Sequence, residues 1–424
     1  MSTLSEKLKS LGVKVGAQDL PQASPANPTA IEQVLAGSTC HTPLGDTFLV
    51  EKRYPVGQPH GRATIKVDAP LNGLARWAGD ARISDLNPQS FAFLDTETTG
   101  LSGGSGTYAF LIGVARFEGD ELHLAQFFMR DPMEEAAQLA AFEEFIAPCQ
   151  AIVSFNGKSF DVPLLLTRFV TQGWQPPFAQ LSHLDLLHLA RRLWRDRLPS
   201  RTLSNLEWQI LGALRSEEDV PGWMIPSLYF DYLHSGDATR LKSVFYHNAM
   251  DVVSLAALLN HMALLLAHPL ETGQEHGVDL IALAKLFEDL GDLDTATDLY
   301  IHGLDHEDAL QERLPQPILI EAIQRLASIH KYQQNYEAAV ALWQQAAHRQ
   351  HLHAHVELAK YYEHRAGDVA EALFWTQSAI DLVELHAAQT EGRPLLNLYE
   401  QRQWLTELRH RQERLESKAA RLNR

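Results

Sequence analysis

The stretch Phe-Ala-Phe-Leu-Asp-Thr-Glu at residues 91–97 decides how this chain is interpreted. Four apolar residues in a row are typical of a buried β-strand. Because side chains alternate between the two faces of a strand, Asp95 and Glu97 point to the same side. Two such carboxylates repel each other, and a divalent cation between them is the simplest physical reason for the pair. Solvated acids at the end of a strand are the alternative.

The residues after this stretch predict a mixed sheet. Two strand-like runs, at residues 107–117 and 121–129, predict an antiparallel meander with the first strand. Helical and strand-like patterns then alternate up to Thr171, and helical spacing continues to Leu266. Such alternation is typical of a mixed sheet with helices against its faces. The sequence therefore predicts an α/β domain over residues 91–269.

Two further groups of polar residues accompany later elements. The run Asn156-Gly-Lys158-Ser-Phe-Asp161 follows an apolar strand, and Asp161 lies near the start of a helix, where a carboxylate faces the helix-terminus amides. His247 and Asp251 are four residues apart on a predicted helix and share one face. A simple helix cap at Asp161 and an exposed ion pair between His247 and Asp251 are the alternatives.

Taken together, these motifs resemble those of the DEDD exonucleases in the ribonuclease H-like superfamily. More narrowly, Phe93-Leu-Asp-Thr-Glu-Thr-Thr-Gly and the later Gln126-Phe-Phe-Met-Arg-Asp-Pro are similar to segments of YprB-type ribonuclease H-like proteins. The resemblance covers about residues 40–269. It implies a ribonuclease H-like sheet and a 3′-5′ exonuclease, a hydrolase acting on phosphodiester bonds.

The resemblance also implies which residues bind metal and which activates water. It places two Mg²⁺ or Mn²⁺ ions on four acids, namely Asp95, Glu97, Asp161 and Asp251, and such hard cations prefer oxygen ligands. DEDD enzymes carry a His five residues before the last Asp or a Tyr four before it. Here the types are exchanged, with Tyr246 at minus five and His247 at minus four. We favour His247 as the base because it shares a face with Asp251 and titrates near neutrality. Tyr246 stays open as the alternative.

Contacts to the substrate are predicted from charge and from the resemblance. A basic segment around Trp194 in an otherwise acidic chain is a candidate phosphate-binding edge, with the tryptophan able to stack on a base. A solvated helix face with a buried tryptophan is the alternative. Asp185 also matches a family segment and is expected to support the site without binding metal. The predicted substrate contacts are Thr98, Asn156, Lys158, Arg191, Arg192 and Arg195.

Composition restricts the partners and the compartment. Lysine and arginine number 36 against 53 acidic residues, a net charge of −17, so a polyanion has to be held locally and not by the whole surface. Two distant cysteines cannot build a secreted disulfide framework, which predicts a cytoplasmic protein. The most apolar stretch, residues 255–266, is shorter than the roughly 20 residues that cross a bilayer, so no membrane partner is expected.

The rest of the chain is predicted to form three further parts. Residues 1–36 are expected to form a short helix and a linker, and residues 37–90 a small β-rich appendage. Residues 270–424 repeat a layout of Leu-Ala, aromatic residues, a polar turn and Ala, and two copies begin 32 residues apart at Leu326 and Leu358. This all-α region resembles tetratricopeptide repeats. A protein partner in its groove is one expectation, and a capping role for the neighbouring domain is the other.

These observations predict a metal-dependent nuclease, specifically a 3′-5′ exonuclease acting on the 3′ end of single-stranded DNA or RNA. The alternative from another class is a non-catalytic nucleic-acid-binding or scaffold protein that recruits partners through its helical repeats. The presence of all four acids argues against it. An endonuclease is a third reading, since ribonuclease H-like sites also cut internally. No motif distinguishes DNA from RNA, because that choice depends on a few side chains near the 2′-OH.

Overall fold

The computed structural model describes residues 28–100, 106–272, 276–309, 314–388 and 397–422. The predicted N-terminal helix and most of the predicted linker lie outside these residues. The described chain forms two compact units, each assembled from separate segments. The first unit contains residues 28–68, 85–186 and 203–260, and the second contains residues 69–84, 187–202 and the described part of 261–424.

A mixed seven-stranded sheet forms the centre of the first unit. The strands are β1 Ser38–Thr42, β2 Gly45–Pro55, β3 Pro59–His60, β4 Ala63–Thr64, β5 Phe91–Thr98, β6 Ala109–Glu118, β7 Glu121–Phe128, β8 Ala151–Ser154 and β9 Ser182–Asp185. The order in the large sheet is β1-β2-β7-β6-β5-β8-β9, and β3 pairs with β4 in a separate hairpin. The pairs from β1 to β5 are antiparallel, whereas β8 runs parallel to both β5 and β9. The predicted meander of β5, β6 and β7 is confirmed.

Helices occur in both units. Their ranges in the described residues are α1 Ile31–Val34, α2 Asn72–Ala78, α3 Glu135–Ile146, α4 Asp161–Thr171, α5 Leu186–Trp194, α6 Leu203–Leu206, α7 Ile225–Ser235, α8 Leu241–Ala267, α9 Pro269–Thr272, α10 Gly277–Asp289, α11 Leu293–Ala309, α12 Gln316–Tyr332, α13 Tyr336–His348, α14 Leu352–Tyr361, α15 Val369–Ala388 and α16 Leu398–Leu422. Helices α6 and α14 each continue into a π-helical turn, at Glu207–Leu211 and Tyr362–Ala366.

The central strands are apolar on both faces because both faces are covered. One hydrophobic cluster includes Ile112 of β6 together with Phe142 of α3 and Phe169 of α4. A second cluster includes Phe110 of β6 together with Tyr229 of α7, whose rings stack with centroids 4.0 Å apart. The adjacent residues Leu111 and Ile112 belong to different clusters, and because neighbouring side chains of a strand point to opposite faces, these two core layers lie on the two sides of the same strands. The expected α/β class, a mixed sheet flanked by helices, is confirmed.

The predicted β-rich appendage over residues 37–90 is wrong as a separate unit. Strands β1 and β2 extend the main sheet, and β2 pairs with β7 from Phe48 opposite Phe128 to Pro55 opposite Glu121. Residues 69–84 belong instead to the second unit. The local alternation predicts the strand correctly, but it does not specify a pairing partner more than sixty residues away, because register follows the buried face of the assembled sheet.

Helix α8 is long and apolar enough to cross a membrane by length and composition, so the expectation that this region is too short does not hold. Its most apolar window, however, is 78% buried inside the protein. The apolar residues of α8, among them Phe245 and Leu241, pack in the core of the first unit. The helix therefore has the environment of a core helix, which is apolar on nearly all sides because protein surrounds it.

The all-helical C-terminal region is built from hairpins, as the sequence predicts. Helices α10 and α11, α12 and α13, and α14 and α15 form three consecutive pairs, each joined by a short turn. Buried Glu363 in the π-helical turn after α14 accepts hydrogen bonds from Arg411 and Arg414 of α16, at 2.6 Å in each case. The finer resemblance to tetratricopeptide repeats stays a prediction.

Candidate active site

The carboxyl end of β5 carries the first two predicted acids. Asp95 and Glu97 are partly buried, and the pairing of β5 with β6 shifts register directly after Glu97. The Asp95 carboxylate accepts a hydrogen bond of 2.9 Å from the Asn248 side-chain amide of α8. Asn248 is fully buried and fits there because Gly113, opposite Asp95 on β6, has no side chain. A Cβ at that glycine would lie 2.0 Å from Asn248 Oδ1.

Asp161 begins α4 and is tied to β5. Its Oδ1 accepts hydrogen bonds from the Thr96 backbone N–H at 3.1 Å and the Thr96 hydroxyl at 2.6 Å. The carboxylate thus connects α4 to the strand that carries Asp95 and Glu97, so it does more than cap its own helix. Thr96 points away from these two acids along the strand, yet its hydroxyl and amide reach Asp161, a contact that the sequence does not predict.

The turn before Asp161 is held by buried Asp185. The Asn156 backbone N–H donates to Asp185 Oδ1 at 2.8 Å, and the Lys158 N–H donates to Oδ2 at 3.1 Å. Asn156 has a φ of 68°, and a Cβ on Gly157 would lie 2.4 Å from the Ser154 hydroxyl oxygen. The sequence pattern predicts that Asp185 lies in a helix, whereas in the structure Asp185 is the last residue of β9. Its position explains how one side chain orders the Asn-Gly-Lys turn.

Asp251 of α8 lies in a charged network that the sequence does not predict. The Arg215 guanidinium bonds both carboxylate oxygens of Glu207 at 2.6 Å, and one of its nitrogens also bonds Asp251. Its remaining nitrogen lies 3.2 Å from His247 Nδ1 and 3.4 Å from Asp219. The Arg215 and Glu207 side chains are only 11% and 3% exposed. Arg215 therefore places one permanent positive charge against Asp251.

The two candidates for the base are held differently. His247 Nδ1 lies 2.8 Å from Asp219 Oδ1, and His247 Nε2 lies 3.6 Å from Asp251 Oδ2. The Tyr246 hydroxyl instead accepts a hydrogen bond of 2.9 Å from the backbone N–H of Ser216. The structure thus brings His247 to the last acid of the set and engages the Tyr246 hydroxyl with the neighbouring loop.

The four acids influence one another's ionisation. Burial, followed by repulsion from Asp251, Glu97 and Asp161, raises the pKa of Asp95 well above its ordinary value. Burial and the charges of Asp251 and Asp161 likewise raise the pKa of Glu97. Burial raises the pKa of Asp161 to about 6 against its hydrogen bonds from Thr96. Burial also raises the pKa of Asp251, although Arg215 and His247 oppose this. Such a cluster is stabilised by added positive charge.

The chemistry of these donors fits a hard divalent cation, although the side chains are not yet arranged around one. Within the described ranges, no three or more His, Cys, Asp or Glu side chains form a group that could hold a metal ion as they lie. One Asp161 oxygen bonds Thr96, and one Asp251 oxygen bonds Arg215. Carboxylate oxygens are nevertheless the ligands that Mg²⁺ and Mn²⁺ prefer, and crowded carboxylates gain most from a cation.

A cleft of about 320 Å³ opens beside the acids. Asp95 and Asp161 line it, together with the predicted substrate contacts Thr98 and Asn156 and the half-exposed ring of Phe160. Lys158 lies in the same turn as Asn156 and is exposed. The cleft thus joins two of the predicted metal ligands to two of the predicted substrate contacts.

The predicted arginine edge belongs to the second unit. Arg191 is exposed, Arg192 donates to the Lys285 carbonyl at 3.0 Å and pairs with Asp289, and Arg195 lies 3.5 Å from Asp196. Trp194 is 2% exposed and its ring stacks on His261, so it is a core residue and not a platform for a base. A helical segment rich in arginine predicts surface charge, but it does not show which acids neutralise that charge after folding.

The domain that contains this cleft is identified by its sequence as a ribonuclease H-like domain. The RNase_H superfamily profile matches residues 92–263, which include every predicted acid. Members of that superfamily are generally nucleic-acid hydrolases, and they typically use divalent metal ions. More specifically, the chain is 32% identical over 354 residues to the uncharacterized protein YprB of Bacillus subtilis, a match that covers 80% of this chain and 82% of YprB. The chain therefore belongs to the YprB family.

A solved structure also shows a limited likeness. The family B DNA polymerase from the hyperthermophilic archaeon Pyrobaculum calidifontis aligns with 48% of this chain at 16% sequence identity and a TM-score of 0.33. The aligned part spans 30% of that polymerase chain.

Proposed function

We propose that this protein is a metal-dependent nuclease, specifically a 3′-5′ exonuclease that removes nucleotides from single-stranded DNA or RNA. The observation that carries the proposal is the electrostatic coupling of Asp95, Glu97, Asp161 and Asp251 beside one cleft of a ribonuclease H-like domain. Acids that raise one another's pKa at an open cleft are costly for folding, and such costs are typical of functional sites. The 3′-5′ polarity rests on the resemblance to DEDD exonucleases.

In this proposal the four carboxylates hold Mg²⁺ or Mn²⁺. A bound divalent cation would lower the pKa of a water molecule and stabilise negative charge on the phosphate. The hydrogen bonds described above give the chain's own contribution. Thr96 fixes Asp161 on β5, and Asn248 fixes Asp95, so two of the ligands are oriented by neutral donors that do not compete for the metal charge.

His247 is the group that we propose as the base. With its Nδ1 proton donated to Asp219, the imidazole keeps a lone pair on Nε2, the nitrogen nearest to Asp251. That lone pair can accept a proton from the attacking water, and the charge of Asp219 stabilises the imidazolium that forms. The Tyr246 hydroxyl is engaged by Ser216 N–H, which supports His247 over Tyr246.

The cleft supports a single-stranded substrate. Phe160 precedes Asp161, and 51% of its surface is exposed at the cleft, where a nucleobase can stack on its ring. Thr98 and Asn156 supply polar groups on the same walls, and Lys158 supplies a positive charge from the adjoining turn. The proposal does not include substrate contacts by Arg191, Arg192 and Arg195, which stay predictions. A protein partner of the C-terminal helices also stays a prediction.

The proposal is tested with end-labelled single strands of DNA and RNA incubated with Mg²⁺, Mn²⁺ or EDTA. We expect metal-dependent release of mononucleotides from the 3′ label and a ladder of shortened products from the 5′ label. Asp95→Asn keeps an acceptor for Asn248 but removes a charge, and it should abolish cleavage. Asp231→Asn alters an acid of α7 whose side chain is 66% exposed and pairs with Arg240, and it is the matched control that should cleave like the wild type.

Each other outcome has a defined meaning. Products that appear in the middle of the strand from the outset would identify an endonuclease. Strand binding without cleavage under any metal condition, equal in the wild type and Asp95→Asn, would refute the nuclease and support the non-catalytic binding protein.

A further inference from the structure

A large aromatic side chain is exposed next to the proposed base. Trp223 is 81% exposed, and it follows Gly222, where a Cβ would lie 3.7 Å from His247 Nε2. We propose that Trp223 stacks on a nucleobase of the bound single strand and forms a second base-binding position beside the acids. The inference rests on the proposed function and adds to it a binding residue that no sequence motif assigns.

The short segment that carries this tryptophan is anchored on both sides. Val220 and Ile225 are buried in the same hydrophobic cluster. The single turn between them is closed by a hydrogen bond of 2.9 Å from the Met224 N–H to the Pro221 carbonyl. The exposed ring therefore projects from an ordered backbone, and such a preorganised contact loses less entropy on binding than a contact on a free loop.

Trp223 belongs to a stripe of exposed apolar side chains. Phe230 and Leu233 of α7 are 43% and 36% exposed and follow at intervals of seven and three residues. Such intervals recur on one side of a helix, and the turn that carries Trp223 runs directly into α7. The stripe therefore starts beside His247. Single apolar residues are ordinary on a surface, whereas a group of them marks a contact surface.

The position of this stripe favours a nucleic-acid strand as its occupant. Phe160 immediately precedes α4, which packs in the core layer on one face of the sheet. The segment around Trp223 packs with α8 in the layer on the other face. The two rings thus approach the acids at the end of β5 from opposite faces of the sheet. A strand whose phosphate lies at these acids has an aromatic side chain on each side of it.

Stacking also suits the charge of this surface. The chain has a net charge of −17, and Glu217 and Glu218 lie in the loop just before Trp223. Negative charge of this kind repels the phosphates of a strand, so ionic contacts gain little here. Stacking of a base on an aromatic ring needs no positive charge, and it tolerates any base because every base has a π-face.

The test measures binding of 5′-labelled single strands by fluorescence anisotropy in Mg²⁺. All chains carry Asp95→Asn, so that cleavage does not consume the strand. Adding Trp223→Ala should weaken binding roughly five- to hundredfold, by the same factor at low and at high salt, and Trp223→Phe should recover much of the loss. Phe374→Ala alters an aromatic residue of the second unit that is 58% exposed, and it is the matched control that should bind like the parent chain.

Abasic strands separate a stacking contact from a structural role. One nucleotide without a base is placed at each position from the 3′ end in turn. At one position the missing base should weaken binding to the parent chain but cause no further loss in Trp223→Ala, because that variant has already lost the stacking partner. Phe160→Ala should show the same coupling at a different position, since its ring approaches from the other face.

Several results would overturn the inference. Parent affinity in Trp223→Ala contradicts it, as does an abasic penalty that is equal in both chains at every position. A change of oligomeric mass in light scattering without a change in strand affinity would show that the stripe joins two copies of the chain. The proposed nuclease fails separately: binding that depends on Trp223, without cleavage by the wild type, refutes only the nuclease. Metal-dependent cleavage with binding unaffected by Trp223→Ala refutes only the role of Trp223.

Discussion

Replacing Asp161 by asparagine should stabilise the metal-free protein. Burial raises the pKa of this carboxyl from 3.8 to about 6. The folded protein therefore binds the proton more tightly than the unfolded chain, and ionisation of Asp161 lowers the free energy of unfolding as pH rises from about 4 to about 6. Above about pH 6 the ionised Asp161 lowers the free energy of unfolding by its full amount. Asparagine removes the charge and retains an oxygen that can accept both hydrogen bonds from Thr96.

The size of the gain follows from the shift in pKa. A rise from 3.8 to about 6 is about 2 pKa units, which corresponds to about 3 kcal/mol at about 1.4 kcal/mol per unit. Because Asp161 lines an open cleft and water reduces the effect, we expect about 2 kcal/mol. At roughly 2 to 4 °C per kcal/mol for a unit of this size, the melting temperature of Asp161→Asn should rise by about 4 to 8 °C.

The assay is thermal unfolding in EDTA at pH 7.5 and at pH 4.5, with Asp231→Asn as the control. The gain should be present at pH 7.5 and mostly lost at pH 4.5, because Asp161 is then largely protonated in the folded wild type. Saturating Mn²⁺ should reduce the advantage, since the wild type gains more from the ion. A variant no more stable than the wild type at pH 7.5 in EDTA, or equally stabilised at both pH values, would refute the electrostatic reasoning.

Three further predictions test the groups that hold the acids. Asp185→Asn should have the opposite sign to Asp161→Asn and lower stability by about 1 to 3 kcal/mol, because an amide cannot accept both turn N–H bonds; urea unfolding measures it. Asp219→Asn should reduce kcat roughly ten- to hundredfold, because it removes the negative charge beside the His247 imidazole, while KM on a single-stranded substrate changes little. Gly113→Ala should cost about 1 to 3 kcal/mol, since its Cβ would overlap Asn248, whereas Gly57→Ala, with open space around it, should change stability by less than about 1 kcal/mol. An unaltered melting curve for Gly113→Ala would show that the backbone can move aside.

The predictable part of the site is the part encoded by local spacing. Alternation along one strand places Asp95 and Glu97 on one side, and the helical repeat places His247 and Asp251 on one face. Both inferences need only a few neighbouring residues. The fold class follows for the same reason, since strand and helix patterns alternate in order along the chain.

The unpredicted part depends on contacts between distant segments. Arg215 follows no motif, and its bond to Asp251 joins residues 36 positions apart. The pairing of β2 with β7 also has no local signal. The arginines at 191–195 are predicted to bind phosphate because a run of positive charge is visible in the sequence. The acid that pairs with Arg192, Asp289, comes almost a hundred residues later, so the sequence does not show this ion pair.

The interleaved course of the chain limits how this protein can be divided. Residues 69–84 and 187–202 precede or interrupt the nuclease-like segments, yet their buried residues, including Leu74 and Trp194, belong to the unit that contains the C-terminal helices. Deleting everything after residue 260 would strip both segments of their packing partners and expose those side chains. A single recombination point therefore cannot exchange either unit intact, because each unit is assembled from separate segments of the chain.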